Sequence, residues 1–509
     1  MKKFRLFSQI LFFLLFTYIF FNTLIDNTIF GSEFELKGKI DYLFAVDPLL
    51  GLTTLLSTYK ISSIFLLSIL TVLLTIILGR FFCGWICPMG SMFHFFSYLA
   101  EKMKFYNKTH FNSDKFSSIK YYILFFIILL SIFQINISGY LDPLSLLVKV
   151  MSIFIIPVIY TLYDVQVLPF YAQDFIFNNI IGREVIYYNS AYLFGVIFFV
   201  LIFLNFLRSR FWCRYLCPLG ALLGLISTFS FFKIQKSENC INCRLCDEKC
   251  YANATPSKKD FLTRECMLLF DCIDSCKNSA ISYKYNLSFS KFDIDRRRTL
   301  KTFGYGFGAI LILKLKNYSI KNEKLIRPPG SLNEEEFLKT CIRCGACMKV
   351  CPENFLSPAI AEGGILDLFT PVANAKYGYC VYNCNLCTKV CPTGAIKKLT
   401  VSEKQKFTIG TAYIDKNRCL PHAFGTNCAV CEEHCPTSPK AITFETVQKV
   451  KNGEEVILKK PIVNPALCIG CGICQYKCPV NDKYAVYITS IKNGGLLINN
   501  NSGEIDGYF

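Results

Sequence analysis

Asp295-Arg-Arg-Arg-Thr-Leu-Lys301, followed by the short apolar run Phe303–Leu313, divides this chain into two unlike halves. Before it lie long apolar runs and 11 of the 27 cysteines; after it lies a polar half with the other 16. Arg296 and Arg297, followed by Leu300 and Lys301, match the pattern of a twin-arginine export signal, here internal rather than at the start. The apolar run is rich in glycine, is followed by Lys314 and Lys316, and falls short of the ~20 residues of a spanning helix. No small-x-small cleavage site comes after it, so the segment is expected to stay attached. An ordinary short anchor with a basic cytoplasmic flank is the other reading. Either way, the polar half is expected to emerge on the far side of a membrane.

Composition points the same way. Apolar residues make up 52% of the 509, with 48 Phe and a mean hydropathy of +0.36, too oily for a wholly soluble protein. The net charge of +18 does not imply nucleic acid, because much of the basic excess lies in short loops beside apolar runs. The cysteines fall in tight C-x2-C-x2-C-x3-C runs that hold metal clusters rather than disulfides. No C-x-x-C-H, P-loop or convincing G-x-G-x-x-G occurs, which argues against attached c-type haem and nucleotide chemistry.

Residues 1–235 read as a membrane domain. Four runs are long enough to cross: Leu6–Ile25, Ile61–Gly79, Tyr121–Ser138 and Tyr188–Leu207. Residues 80–120 hold six Lys/Arg against two Asp/Glu, whereas 23–60 hold three against five and 140–190 two against four. The N-terminus, the 80–120 loop and everything after Arg208 are therefore expected in the cytoplasm. Ser145–Tyr163 is also apolar, but Lys149 and Pro157 interrupt it, and it is expected to lie along or dip into the outer face.

An internal repeat underlies this half. Val46-Asp-Pro-Leu-Leu50 and Leu141-Asp-Pro-Leu-Ser145 are each followed, one span later, by Arg80-Phe-Phe-Cys-Gly-Trp-Ile-Cys-Pro-Met-Gly90 and Arg210-Phe-Trp-Cys-Arg-Tyr-Leu-Cys-Pro-Leu-Gly220. On a helix, the two thiols of C-x3-C-P lie one turn apart on one face, too far for a ready disulfide. An approximate two-fold would bring Cys83, Cys87, Cys213 and Cys217 together as a metal or cluster site or a redox-active thiol set; the alternative is a packing motif that closes a helix before Pro88 and Pro218. Asp47 and Asp142 are candidate acceptors of quinol protons, or simply helix N-terminal residues ahead of proline. His94, the one histidine beside a span, is either structural or a quinol ligand. With only His94, His110, His422 and His434, the chain lacks paired membrane histidines for b haems.

Residues 236–290 form a first cluster domain. Cys240, Cys243, Cys246 and Cys276 are expected to bind one [4Fe-4S] cluster by the crossed two-cluster rule. Its partner keeps only Cys250, Cys266 and Cys272, because Leu269 stands where the second cysteine belongs. That site is read as a [3Fe-4S] cluster, as completed by a ligand such as Asp271, or as empty.

Residues 291–318 are the signal or anchor, and residues 319–509 carry four complete sets. These are Cys341, Cys344, Cys347 and Cys351; Cys380, Cys384, Cys387 and Cys391; Cys419, Cys428, Cys431 and Cys435; and Cys468, Cys471, Cys474 and Cys478. Sixteen thiolates are expected to hold four [4Fe-4S] clusters, zinc being the rejected alternative. Gly345 and Gly472 are expected to let the backbone wrap closely. No catalytic constellation accompanies these sets, so this half is expected to carry electrons. The expected fold is an α-helical membrane domain of four spans plus a short fifth anchor, with α+β ferredoxin-like iron–sulfur domains on both sides.

On these motifs, residues 1–290 resemble NapH (MauN-like), the membrane component of a quinol dehydrogenase, and residues 291–509 resemble the NapG/MauM family of exported four-cluster ferredoxins. The resemblance implies a NapH–NapG fusion that oxidises menaquinol or ubiquinol. Electrons would then pass through a periplasmic domain to a periplasmic reductase, typically nitrate reductase, or to a cytochrome c, from an inner-membrane location. It also implies cross-ligation of the first set with the fourth and of the second with the third. Cys341, Cys344 and Cys347 would then take Cys478, and Cys468, Cys471 and Cys474 would take Cys351. Likewise Cys380, Cys384 and Cys387 would take Cys435, and Cys419, Cys428 and Cys431 would take Cys391. The competing role is an electron relay from a cytoplasmic donor, or a redox-centre maintenance factor, with no quinol site.

Overall fold

A computed structural model describes residues 2–23, 25–26, 35–36, 38, 40–60, 62–103, 117–164, 188, 191–241, 243, 245–254, 261–286, 296–317, 325–360, 362, 364–451, 454–480 and 483–490. A helical bundle lies in the middle, with one cluster domain at each end. Helix α1 (Lys2–Asn22) sets the scale, since 21 residues span about 30 Å. Near its start Arg5 binds Asp271 of the first cluster domain at 2.6 Å; just past its end the carbonyl of Thr23 accepts from Lys349 of the second at 3.2 Å.

Within the bundle, helices stop and restart at X-Pro steps. Asp47 caps α2 (Pro48–Thr58), Cys87 precedes α4 (Pro88–Lys102), Asp142 caps α6 (Pro143–Val150) and Cys217 caps α8 (Pro218–Ile226). Proline suits the first helical position and pushes its predecessor out of the helical region. Cys87 (φ −61°, ψ 118°) and Cys217 (φ −68°, ψ 111°) are accordingly extended. This corrects the expectation that both thiols of each C-x3-C-P lie on one helix face. Cys83 sits in a short turn, Phe81–Trp85, and Cys213 in a π turn, Trp212–Leu216; the helix breaks before the second thiol.

The remaining bundle helices are α3 (Leu66–Leu78), α5 (Ile119–Ile132) and α7 (Ala191–Leu207). Among the described residues, two helices are long and apolar enough to cross a membrane, Lys2–Asn22 and the run Pro143–Leu162, with mean hydropathies of 1.8 and 2.1. Ser63–Leu78, Ile119–Ile132 and Ala191–Leu207 are apolar but shorter than the runs expected to span. The Tyr121–Ser138 run loses its end because Gln134 takes a left-handed φ of 67° and Ser138–Tyr140 forms a separate 3-10 turn. The run beginning at Pro143 packs through Phe154 on Gly195 and Phe199, in the half of α7 next to the second cluster domain.

Arg296–Asn317 is one helix, α9, packed along α5 through Phe303 on Phe125 (4.4 Å) and Phe307 on Phe133 (5.6 Å). Twenty-two residues reach about 33 Å, enough to run from one cluster domain to the other.

The cluster domains are loops stapled by short antiparallel pairs. Phe232–Lys236 pairs with Ile281–Tyr285 in the first. In the second, Leu356–Pro358 pairs with Pro371–Ala373, Thr411–Ile414 with Val486–Thr489, and Ile442–Lys451 with Glu454–Val463.

Candidate functional site

Strand pairing decides which thiols meet. Thr411–Ile414 and Val486–Thr489 run antiparallel, so the residues after the former face those before the latter; Asp415 N–H donates to the Ala485 carbonyl at 2.8 Å. Cys419 and Cys478 are thereby brought together, and one cavity is lined by Cys419, Cys428, Cys431 and Cys478. A second cavity is lined by Cys468, Cys471, Cys474 and Cys435. In the other pair of sets, Leu332 N–H donates to the Ala395 carbonyl, which carries Cys391 to the first set. Cys391 faces Cys341, Cys344 and Cys347, while Cys351 faces Cys384 and Cys387.

The crossing is therefore between neighbouring sets, first with second and third with fourth. The expected placement of Cys478 with the first set, Cys351 with the fourth, Cys435 with the second and Cys391 with the third is corrected. The first-with-fourth half of that assignment would need sets separated by more than 100 residues of chain to interleave, whereas the pairing of Thr411–Ile414 with Val486–Thr489 closes the third and fourth sets into one two-site unit. Four thiols converging on one cavity fit a cubane.

The units are also linked end to end. Cys347 faces Cys387 between the first two sites, and the Cys380 N–H donates to the Cys471 carbonyl at 2.8 Å between the second and fourth. Gly345, at φ +82°, begins the short helix Ala346–Lys349, and a Cβ there would approach Lys149 of the bundle at 3.1 Å. The first site of the second domain thus sits directly on the bundle.

In the first cluster domain Cys246 and Cys276 share one small core, and Cys250, Cys266 and Cys272 face one another. Asp271 is not available as a fourth ligand there. Both of its oxygens accept from Arg5, which also donates to the Leu269 carbonyl. The Met267–Phe270 loop, where a cysteine is missing, serves instead to dock the domain. Trp85 Nε1 donates to the Leu268 carbonyl at 2.9 Å, and a Cβ on Gly84 would strike the Met267 carbonyl.

Between the two cluster domains lies a polar centre. Asp47 and Asp142 are fully buried and within hydrogen-bonding reach of each other. Each caps its helix, Asp47 through the N–H groups of Leu49 (2.8 Å) and Leu50 (3.2 Å) and Asp142 through Ser145 (2.7 Å). Each keeps one oxygen, Asp47 Oδ2 and Asp142 Oδ1, to which no group other than the paired carboxyl donates among the described residues. On one side lies Lys149, whose Nζ donates to Gly139 at 2.7 Å beneath the second cluster domain. On the other lies Cys87, which faces Cys83, Cys213 and Asp142. The two C-x3-C-P motifs do converge.

His94 belongs to a different place. Its Nε2 lies 3.3 Å from Arg5 Nη2 and its ring packs edge-on against Tyr251 (5.1 Å), at the first-domain end. His110 lies outside the described residues, as do the side chains of Arg296 and Arg297.

A 4Fe-4S binding domain family matches residues 62–105 and 190–237, a 4Fe-4S dicluster domain family matches 340–395 and 379–439, and a second 4Fe-4S binding domain family matches 461–482. The dicluster match over 340–395 covers the first two sets, and its overlapping match over 379–439 covers the second and third. An uncharacterized protein of Methanocaldococcus jannaschii, MJ0750, is 28% identical over 55% of this chain and 94% of its own length. The methylamine utilization ferredoxin-type protein MauM of Methylorubrum extorquens is 35% identical over 30% of this chain and 67% of its own length. The ferredoxin-type protein NapG of Escherichia coli is 34% identical over 25% of this chain, and the chain spans about half (55%) of that relative. No solved structure matches.

Proposed function

Because the chain belongs to the NapG/MauM-like family of 4Fe-4S ferredoxin-type electron-transfer proteins, we propose that it oxidises quinol within its helical bundle and sends the electrons out through the second cluster domain. The observation that carries this reading is the Asp47–Asp142 pair, buried next to the bundle-facing site of that domain. Oxidising a quinol releases two protons and two electrons. The spare oxygens of Asp47 and Asp142 are placed to take the protons. The [4Fe-4S] clusters, when bound, accept the electrons one at a time. The chain's own residues hold the relay, in the spatial order first, second, fourth and third set.

In this reading the bundle lies in the inner membrane, with the second cluster domain in the periplasm. The wide apolar faces that α1, α3 and α7 expose, with Phe7, Leu70, Phe199 and Phe203 among them, support lipid contact. The opposite placement of the cluster domains along α1 supports opposite faces. The NapH-like half, the internal twin-arginine segment, four spans with a non-crossing 143–162 helix, and four outer clusters with one complete inner cluster belong to the same proposal. A periplasmic reductase such as nitrate reductase, or a cytochrome c, is the acceptor class.

One observation favours a second reading, a relay from a soluble cytoplasmic donor. Cys243 of the first cluster domain is exposed, as a docking site for such a donor requires. The two are separated by adding a reduced menaquinone analogue to the oxidised protein and following cluster reduction by EPR. Reduction lost in Asp47→Asn/Asp142→Asn establishes the quinol route; reduction only by a low-potential soluble donor establishes the relay.

A further inference from the structure

The centre of the bundle carries more positive charge than the described carboxylates answer. Arg5 is matched by Asp271. Arg80 and Lys120 share the one carboxylate of Glu265. Arg210 is fully buried and forms no ion pair with a carboxylate among the described residues; its Nε and Nη2 have no hydrogen-bond partner there, and neither has Nε of Arg80. A buried, unpaired guanidinium is costly, so native structures keep one where an anion answers it. Arg210, and one of the pair Arg80 and Lys120, have no carboxylate of their own, and what the two arginines face is sulfur. Arg210 lies beside Cys83, Cys87 and Cys213, and Arg80 lies beside Cys83 and donates to the Cys213 carbonyl at 3.3 Å.

Backbone dipoles add to this charge. Helices α4 and α8 begin at Cys87 and Cys217 and run toward the first cluster domain, reaching Tyr251 through Glu101 and Arg264 through Gly224. Their N-termini, with free N–H groups and positive dipole ends, therefore point into the thiol set. Gly220 N–H already donates to Cys217 Sγ at 3.2 Å. Glycine at 220 leaves room for the Arg80 guanidinium, since a Cβ would fall 2.6 Å from Arg80 Nη2 and displace it.

We propose that Cys83, Cys87, Cys213 and Cys217 hold a [4Fe-4S] cluster at the centre of the bundle, with Arg80 and Arg210 as its counter-charges. An oxidised cubane with four thiolates carries a net charge of about −2, which is the charge the two arginines require. The family match over 62–105 and 190–237 encloses these four cysteines and no others. Among the described residues no group of His, Cys, Asp or Glu closes to the spacing of a single-ion shell, and this holds for the ferredoxin sets and the bundle set alike. The site stands apart from the quinol reading, because it rests on charge and sulfur rather than on Asp47 and Asp142. It does supply what either electron route lacks, a one-electron station between the cluster domains. Asp142 lies on one side, and Met267, next to Cys266, lies on the other with its Sδ 3.3 Å from Arg210 Nη1.

The test is cluster counting on the full chain, isolated without oxygen. Native mass spectrometry of the wild type is expected to show one cubane more than the ferredoxin sets account for. Cys83→Ser/Cys213→Ser is expected to lose about four iron and four sulfide per chain, with the ferredoxin signals kept. Arg210→Gln, which leaves all four thiols in place, is expected to keep its iron but shift one cluster to a lower potential, because a positive charge beside it is gone. Zinc or a two-iron centre at this site, unchanged iron in the cysteine variant, or an Arg210→Gln protein whose potentials all match the wild type would overturn the proposal.

Discussion

At the residue scale, the two aspartates hold the fold as helix caps and, in the proposed reaction, also serve chemistry. Asp47 and Asp142 cap helices, each cap being worth about 1 kcal/mol, yet each leaves one buried oxygen over. Asparagine keeps a capping oxygen but cannot take a proton. Asp47→Asn/Asp142→Asn is therefore expected to fold, to be reduced normally by dithionite, and to lose quinol-driven cluster reduction by at least about 100-fold, the scale of a positioned proton acceptor. Unaltered quinol rates in this variant would remove the aspartates from the reaction.

A second residue-scale prediction concerns pH. Arg327 is held by two carboxylates at 2.5 Å each, Glu334 and Asp367. One guanidinium cannot neutralise both, so the triad keeps a proton. Burial, outweighing the pull of Arg327, and the charge of Glu334 push Asp367 up to about 7, while Arg327 holds Glu334 below its usual range despite burial. A raised carboxyl favours the protonated fold. Its contribution is full below the unfolded value of ~3.9 and is lost as pH climbs through about 7. Thermal unfolding of the full chain between about pH 4 and about pH 7 should show the second cluster domain losing stability, and Asp367→Asn should flatten that slope. Equal losses in both proteins would contradict the assignment.

At the scale of elements, much of the site was readable. The cysteine runs, the doubled D-P-L and C-x3-C-P hairpin and the position of Asp47 and Asp142 all come from short local patterns, and the structure brings their members together. The pairing of cysteine sets was not readable, because it depends on Thr411–Ile414 meeting Val486–Thr489, strands separated by more than 70 residues. The extended conformation of Cys87 and Cys217 was available in principle, since each precedes a proline. The role of Asp271 was hidden for a different reason: its partner Arg5 lies 266 positions away. Cys391→Ser and Cys478→Ser test the corrected pairing. The first is expected to damage the site of Cys341, Cys344 and Cys347, next to the bundle; the second is expected to spare it and damage the site of Cys419, Cys428 and Cys431. EPR of the two variants should therefore differ in which cluster is lost, and the reverse pattern would restore the rejected pairing.

The docking loop makes a further element-scale prediction. Arg5 joins α1 to Asp271 and Leu269 in a buried pair, and removing one partner leaves the other charge unanswered, typically a loss of about 3–5 kcal/mol. Arg5→Met should loosen the first cluster domain from the bundle, seen as faster hydrogen exchange in residues 265–272, while the second cluster domain keeps its protection. Unchanged exchange in that loop would show that Trp85 and Gly84 suffice for docking.

At the scale of the whole molecule, the order of parts defines the electron route. A two-site cluster domain, a bundle with buried thiols and carboxylates, and two stacked dicluster units succeed one another along about 30 Å of α1 and beyond it. The electron-transfer role rests on kinship with NapG and MauM, and quinol is the donor we propose from the bundle's buried carboxylates. The most direct test is to add a reduced menaquinone analogue to the oxidised full-length protein without oxygen and record EPR as the clusters respond. Clusters of the second domain should be reduced, the bundle-facing site first, and a quinone-site inhibitor should abolish the signal. Clusters that stay oxidised with quinol yet are reduced by a soluble low-potential donor would rule out quinol oxidation in the bundle.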